Sequence, residues 1–385
     1  MKKLAIALVL FLGVLYVVTI IVVPPRVDRA MNRVLGAPPF DRASPRAEAL
    51  HAKLTIADLH ADSLIWGRDL LERNDTGQVD IPRLRVANVA IQVFSVPTQV
   101  PKTRSRAGTP RDQLDLLTVA AFCNAWPPKT WCFRDERAQH ASGLLQKFAD
   151  KSDRGLILVR TGDDLERALK TETLGGVLAL EGLHALENDM DNVDVLFNAG
   201  YRIAGLVHQF DNELGGSSQG VERGGLTPFG RGVVERMEQR GMIIDLAHAS
   251  PALIRDVVKI AKRPLLVSHT GVRGTCDRPR NLSDEEVRLV ASTGGVIGIG
   301  FWSGAVCGGD ASAIAKSIRH ATNLVGVNHV ALGSDFDGDK MPFDATGLVQ
   351  ITDALLADGF SEAEVEAIMG GNVIRMLREG LPAGG

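Results

Sequence analysis

Long runs of one charge are missing from this sequence: 43 Lys and Arg stand against 46 Asp and Glu in 385 residues, a formal net charge of −3. A basic footprint for nucleic acid is therefore excluded, and partners are expected to be small or neutral. Cysteine is scarce, with four residues and no Cys-x-x-Cys pair. That rules out a disulfide scaffold and leaves isolated bridges open only if the chain reaches an oxidising space. No Gly-x-Gly-x-x-Gly turn follows the first strand-like run, so a dinucleotide site has no support. What is present, 45% hydrophobic and 23% charged residues, is the composition of a packed globular chain and not of a disordered, collagenous or coiled-coil one. The length allows one large domain or two ordinary ones.

One long apolar run does occur. After Lys2 and Lys3, residues 4–23 are relieved only by Gly13, Tyr16 and Thr19, and as a helix they would rise about 30 Å, the depth of a bilayer's hydrocarbon core. The run ends in Val22-Val23-Pro24-Pro25-Arg26, a poor cleavage site. An uncleaved transmembrane signal anchor over residues 1–23 is therefore expected in preference to a cleaved signal peptide or a buried core helix. Arg26, Arg29 and Arg33 compete with Lys2 and Lys3 under the positive-inside rule, so charge alone leaves the orientation open. Residues 24–46 carry Pro24, Pro25, Pro38, Pro39 and Pro45 among arginines and read as a tether or loosely docked arm. The folded domain is expected over 47–385. No hydrophobic tail follows Leu381, which leaves the N-terminal segment as the expected membrane attachment.

Eight short β-rich apolar runs recur beyond the tether, at 54–58, 89–94, 176–180, 203–207, 242–246, 265–268, 296–300 and 330–334. Helical signals lie between most of them: 163–169, 228–240 behind Thr227, 250–261, and 283–292 with a Ser-x-x-Glu capping box. Continuous apolar strands alternating with helices indicate a parallel sheet buried on both faces, and eight repeats predict closure into a (β/α)8 TIM barrel. A doubly wound open sheet is the alternative. The stretch from 99 to 153 is too long for a simple crossover and is expected to add helices over one end.

Ionisable residues fall at the ends of these strands. The first run leads through Asp58-Leu59-His60-Ala61-Asp62, the third into Glu181, the fourth into His208, the fifth into His248, the sixth into His269 and the eighth into Asp335. The C-terminal strand ends are where barrel active sites are built. His60 and Asp62, two apart on an extended segment, point the same way and can meet one cation. Imidazole and carboxylate ligands without cysteine fit a catalytic site for zinc or another first-row divalent metal. Five candidate metal ligands, His60, Asp62, Glu181, His248 and His269, exceed the needs of one tetrahedral ion with an open position and suit two ions bridged by Glu181, about 3.5 to 4 Å apart. Asp58 has the parity of His60 and reads equally as an orienting partner or a buried structural carboxylate. His184 reads as a supporting residue, Asp337 as a loop residue behind Asp335, and His51, His140, His320 and His329 as solvated or helix-end residues.

These stretches, with Asp80-Ile81-Pro82-Arg83-Leu84, Asn212-Glu213-Leu214-Gly215, Gly225-Leu226-Thr227-Pro228-Phe229-Gly230, Arg280-Asn281 and Gly333-Ser334-Asp335-Phe336-Asp337-Gly338, resemble the membrane (renal) dipeptidases, peptidase family M19. The resemblance implies a barrel of the metal-dependent hydrolase type with two Zn2+ ions per subunit, His60 and Asp62 on one, His248 and His269 on the other, and Glu181 between. It implies that His208 contacts the substrate and stabilises the tetrahedral intermediate, that Arg280 binds the substrate carboxylate, and that Asp335 handles the proton while a metal-bridging hydroxide attacks. The expected function is a membrane-anchored dipeptidase accepting a D-residue at the C-terminal position, with a homodimer as family precedent. Hydrolysis of N-acyl amino acids or lactams, and an inactive membrane-tethered binding protein, are the alternatives. Cys276 and Cys307 fall near a disulfide of animal relatives, and Cys123 and Cys132 are spaced to close a short loop. A bridge of either kind needs an oxidising space, so the domain is expected on the periplasmic side of a bacterial inner membrane.

Overall fold

The apolar runs pair side by side. In a computed structural model, which describes residues 1–36, 40, 43–105 and 107–384, nine strands form among the described residues. They are β1 (Ile56–Ala61), β2 (Val89–Pro97), β3 (Leu156–Leu158), β4 (Leu174–Glu181), β5 (Tyr201–Gly205), β6 (Ile243–Asp245), β7 (Leu266–Thr270), β8 (Val296–Ile299) and β9 (Val330–Leu332). Every pairing between them is parallel. β1 pairs with both β2 and β9, and β2 with β4, so all the strands except β3 close into an eight-membered ring. This is the expected (β/α)8 barrel. The open-sheet alternative falls because β1 and β9 pair at Asp58 and Leu332. β3 is an addition: its three residues lie along Leu174, Gly175 and Gly176, ahead of the point where β5 begins to pair at Leu178.

Local chemistry sets the crossovers. Thr227 caps the helix Pro228–Arg240 by accepting from the N–H of Gly230, and Gly241 ends it at φ 74°. Ser283 and Glu286 make the expected reciprocal capping box of the helix Asp284–Ser292. The long segment after β2 folds into helices Leu116–Cys123 and Arg134–Lys151 with a 3-10 turn, Pro128–Trp131. Buried Arg137 pins it, donating to the carbonyls of Thr98 and Thr130, each at 2.7 Å.

The N-terminal segment stays helical past residue 23. The helix Lys2–Met31 runs through Pro24 and Pro25, and its end is docked. Asp28 is buried, accepts from Thr76 Oγ1 at 2.8 Å and faces Arg68 Nε at 3.3 Å. Leu35 and Gly36 then donate to the carbonyls of Met341 and Pro342. Of the two readings of residues 24–46, the first part fits the docked arm and is helical, because a buried carboxylate needs partners and the barrel supplies them. Pro38 and Pro39 of the same segment lie outside the described residues. The apolar window of the helix is long enough to cross a membrane, and none of it is buried inside the protein.

Cys276 and Cys307 are bridged, with Cα atoms 5.2 Å apart, whereas Cys123 and Cys132 are free thiols and do not close the short loop. A link across 31 residues removes enough unfolded-state entropy that its reduction should lower stability by about 2–4 kcal/mol. Denaturation with and without reductant checks this, with Cys276→Ser as the insensitive control.

His51 ends the helix Pro45–His51, with Nδ1 2.8 Å from Thr352 Oγ1. Burial pulls its pKa down to about 4. The folded pKa lies below the unfolded one, so His51 costs nothing above pH 6.5 and costs stability progressively as pH falls from 6.5 towards 4. The loss should reach about 3 kcal/mol. Urea midpoints at pH 7.0 and 4.5 should separate less in His51→Gln than in the native chain.

Candidate active site

Each chemistry-bearing side chain leaves the C-terminal end of its strand. His60 lies in β1, Asp62 just beyond it, Glu181 closes β4, His269 lies in β7, and His208, His248 and Asp335 follow β5, β6 and β9. Glu181 is followed by Gly182 at φ 79°, where a Cβ would stand 2.9 Å from His208 Cβ and 2.7 Å from His184 Cε1. Only glycine lets the chain turn there without striking the site. His248 (φ 65°) and Asp335 (φ 62°) also take left-handed backbone, which costs side-chain-bearing residues on the order of 1–2 kcal/mol. Strain of this kind gathers where side-chain direction is dictated by function.

The side chains converge on one carboxylate. Oε1 of Glu181 lies 2.9 Å from Nε2 of His248, 3.3 Å from Nε2 of His269 and 3.8 Å from Nε2 of His60, while Oε2 lies 3.2 Å from Nε2 of His208. The same Nε2 of His60 stands 3.6 Å from Asp62 Oδ1 and 3.9 Å from Asp335 Oδ1. Three groups have ligand atoms within 4.8 Å of one another: His60 with Glu181 and His269, Glu181 with His208 and His248, and His60 with Asp62 and Asp335. All seven side chains predicted to crowd the strand ends thus meet in one place. His208 stands as near Glu181 as the expected ligands do, and Asp335 as near His60.

The buried groups of this cluster shift one another's titration. Burial alone would raise Glu181, but His208, His248 and His269 together hold it well below the usual carboxylate range. Burial, reinforced by Asp62 and Glu181, pushes Asp335 well above that range. Burial forces His248 and His269 well below their ordinary value. His60 Nε2 and Asp62 Oδ1 are buried with no hydrogen-bond partner. Two orphaned donor atoms facing each other across a ring of imidazoles and carboxylates fit divalent metal and fit little else.

A second set of residues aims the ligands, and spacing along the sequence does not mark them. Ser268 Oγ lies 3.0 Å from His269 Nδ1 and 3.3 Å from His60 Nδ1, and its backbone N–H donates to buried Asp245 at 2.8 Å. One hydroxyl thus meets the Nδ1 atoms of both rings, and both Nε2 atoms face Glu181. Gln219 Oε1, 2.8 Å from His248 Nδ1, does the same for the third ring, and the carbonyl of Gln99 lies 3.3 Å from His208 Nδ1. Asp58 is a structural carboxylate: fully buried, it accepts from Gln92 Nε2 and from the N–H and hydroxyl of Ser334, tying β1 to the end of β9. Asp337 accepts from Ser63 Oγ and the N–H of Gln78 behind Asp335. His184 stacks near Phe210 at 4.7 Å between ring centres and takes no part in the cluster.

Arg280 reaches the same cavity from the loop after β7. Its Nη2 donates to the His269 carbonyl at 2.9 Å and its Nη1 to Thr270 Oγ1 at 3.4 Å. Burial lowers its pKa to about 10, so it is cationic at neutral pH. The remaining N–H groups of the fork are free to face a ligand.

Known proteins are similar to this chain. A model of the membrane dipeptidases, peptidase family M19, matches residues 44–381. The dipeptidase aclJ of Aspergillus oryzae is 28% identical over 363 residues, covering 87% of this chain and 80% of its own. The dipeptidase tcpJ of Claviceps purpurea is 30% identical over 315 residues, 79% of this chain and 69% of its own. A crystal structure of a metallo peptidase from Rhodobacter sphaeroides, liganded with a phosphinate mimic of the dipeptide L-Ala-D-Ala, shares the fold at a TM-score of 0.69 and 21% identity, covering 85% of this chain and 99% of that one.

Proposed function

The chain belongs to the membrane dipeptidases, peptidase family M19, and is a metal-dependent dipeptidase; from that premise we propose that it works with two zinc ions and is anchored by residues 1–23. The catalytic domain is then 47–385, with 24–46 as an arm between anchor and barrel. The observation that carries the two-ion reading is Glu181, one oxygen of which faces three imidazole nitrogens while the other faces a fourth. His60 and Asp62 would hold one ion, His248 and His269 the other, with Glu181 shared. When bound, the ions polarise the scissile carbonyl and supply a nucleophile from water at neutral pH.

The chain's own groups bind, orient and move the proton. Arg280 receives the substrate carboxylate in a bidentate grip. His208, whose Nε2 stands 3.2 Å from Glu181 Oε2, donates from Nε2 toward the carbonyl oxygen as charge develops there, in the tautomer that leaves Nδ1 without a proton. Asp335 takes the proton of the attacking water and returns it to the departing amine. Acceptance of a D-residue at the C-terminal position is supported by the Rhodobacter sphaeroides protein's L-Ala-D-Ala mimic. The Cys276–Cys307 bridge favours an oxidising side, hence a periplasmic domain on an inner-membrane anchor.

The full chain, purified in detergent without chelator, is expected to carry about two zinc ions and to cleave L,L and L,D dipeptides faster than N-acyl amino acids. One ion per active chain would remove the shared-carboxylate arrangement. Fewer than one would remove zinc as the metal, and faster release of acyl groups would favour the wider amidohydrolase alternative.

A further inference from the structure

The catalytic cavity does not end at the barrel rim. It is one space of about 380 Å³ that holds Asp62, Glu181, His208, His248 and Arg280 at its floor and runs out between the N-terminal helix and the helix Leu116–Cys123. Val23, Pro24 and Val27 line one side of this outer groove, and Leu116, Val119 and Ala120 the other. Every residue that the two helices contribute to the lining is apolar, Cys123 included.

The helix forming one wall carries the apolar stretch 4–23, and Val23 and Pro24 stand at the end of that stretch. Within it, Tyr16 packs its ring on Phe122 at 4.8 Å between centroids and donates its hydroxyl to the Phe122 carbonyl at 3.2 Å. From Tyr16 to Val23 a helix rises about 10 Å, so Phe122 sits at hydrocarbon depth when residues 4–23 span a bilayer. Leu114, Leu116, Val119 and Phe122 are each 39–56% exposed. A patch of that kind is costly against water and is relieved against lipid.

We propose, resting on the membrane-anchored dipeptidase reading, that the cavity opens at the bilayer surface and takes an amphiphilic dipeptide, its polar head on the His and carboxylate floor and a linear apolar tail in the groove between the two helices. A dipeptide with short side chains leaves the groove wet. A tail drives water from it, and the gain grows with tail length until the groove is filled.

The test uses the full zinc-loaded chain in lipid nanodiscs and dipeptides in which one residue, in either position, is a linear 2-amino acid of four to twelve carbons. In one of the two positions kcat/KM should rise about three- to four-fold per added methylene over the first several. In Val119→Asp, which puts a charge on an exposed position of the groove wall, the ratio of long-chain to short-chain kcat/KM should fall at least tenfold. Ala120→Phe, which fills the groove without charge, should lower the same ratio. Rates that are flat with chain length in both positions overturn the proposal and leave the dipeptidase standing, as would follow if a second copy of the chain or bilayer lipid occupied the groove. An unchanged ratio in both variants overturns it as well. Hydrolysis of no dipeptide at any length removes the catalytic reading together with the groove, and recovery of the chain in the soluble fraction without detergent removes the anchor on which it rests.

Discussion

Glu181→Gln is expected to leave the barrel folded, to drop bound zinc below one ion per chain, and to cut kcat/KM on dipeptides by at least about 10³-fold. The magnitude follows from position. Residues that merely aim a metal ligand typically cost 10- to 100-fold when removed, and Ser268→Ala, which frees the Nδ1 atoms of His60 and His269, should fall in that range. Glu181 does more, because its two oxygens lie within 3.8 Å of all four imidazole nitrogens of the cluster. The surrounding histidines hold it well below the usual carboxylate range, so the substitution removes a full negative charge. It also turns an NH2 group toward nitrogen atoms that must present lone pairs to a metal. Metal analysis, far-ultraviolet circular dichroism and initial rates on one preparation check this. A folded variant that keeps two zinc ions and activity within tenfold of the native chain would show that Glu181 does not bridge.

How much of this site could be read from the sequence depends on whether a signal was local. Asp58, His60 and Asp62 share a parity that any extended segment imposes, and the apolar runs before Glu181, His208, His248, His269 and Asp335 mark their strands by composition alone. Six of the strand ends were legible for that reason. β3 was not, since Leu156–Leu158 is three residues long and no longer than many helix edges. Nor were Ser268 and Gln219 legible as orienting partners. Gln219 is 29 residues from the histidine it aims, and Ser268 acts on His60 across 208 residues. The docking of the N-terminal arm is the same case in reverse. Proline and arginine content leaves a tether or a loosely docked arm open and says nothing of where an arm would dock; a single carboxylate, Asp28, finds Thr76 across 48 residues and Arg68 beside it, and the barrel surface needed for that contact does not exist until the strands have closed. The sequence leaves Asp58 open between two roles because parity says which way a side chain points and nothing about what waits there; Ser334 and Gln92 decide it.

Arg280→Ala should retain both zinc ions yet lower kcat/KM on dipeptides by about 10²- to 10³-fold, chiefly through KM. A hydrogen-bonded charge pair taken out of water is worth about 2–5 kcal/mol when one partner is removed, and 1.4 kcal/mol is a factor of ten. The guanidinium stands in the catalytic cavity, fixed by the His269 carbonyl and by Thr270, and burial leaves it charged at neutral pH. It supplies a rigid fork that lysine cannot reproduce, so Arg280→Lys should recover less than a tenth of the loss. Dipeptide amides separate this role from a structural one. If Arg280 binds the substrate carboxylate, the native chain should handle an amide as poorly as the alanine variant does, and the substitution should then change little further. If instead it only steadies the loop after β7 through the His269 carbonyl, the variant should lose zinc, and acid and amide substrates should suffer alike. An equal loss on both substrates would withdraw the carboxylate from Arg280.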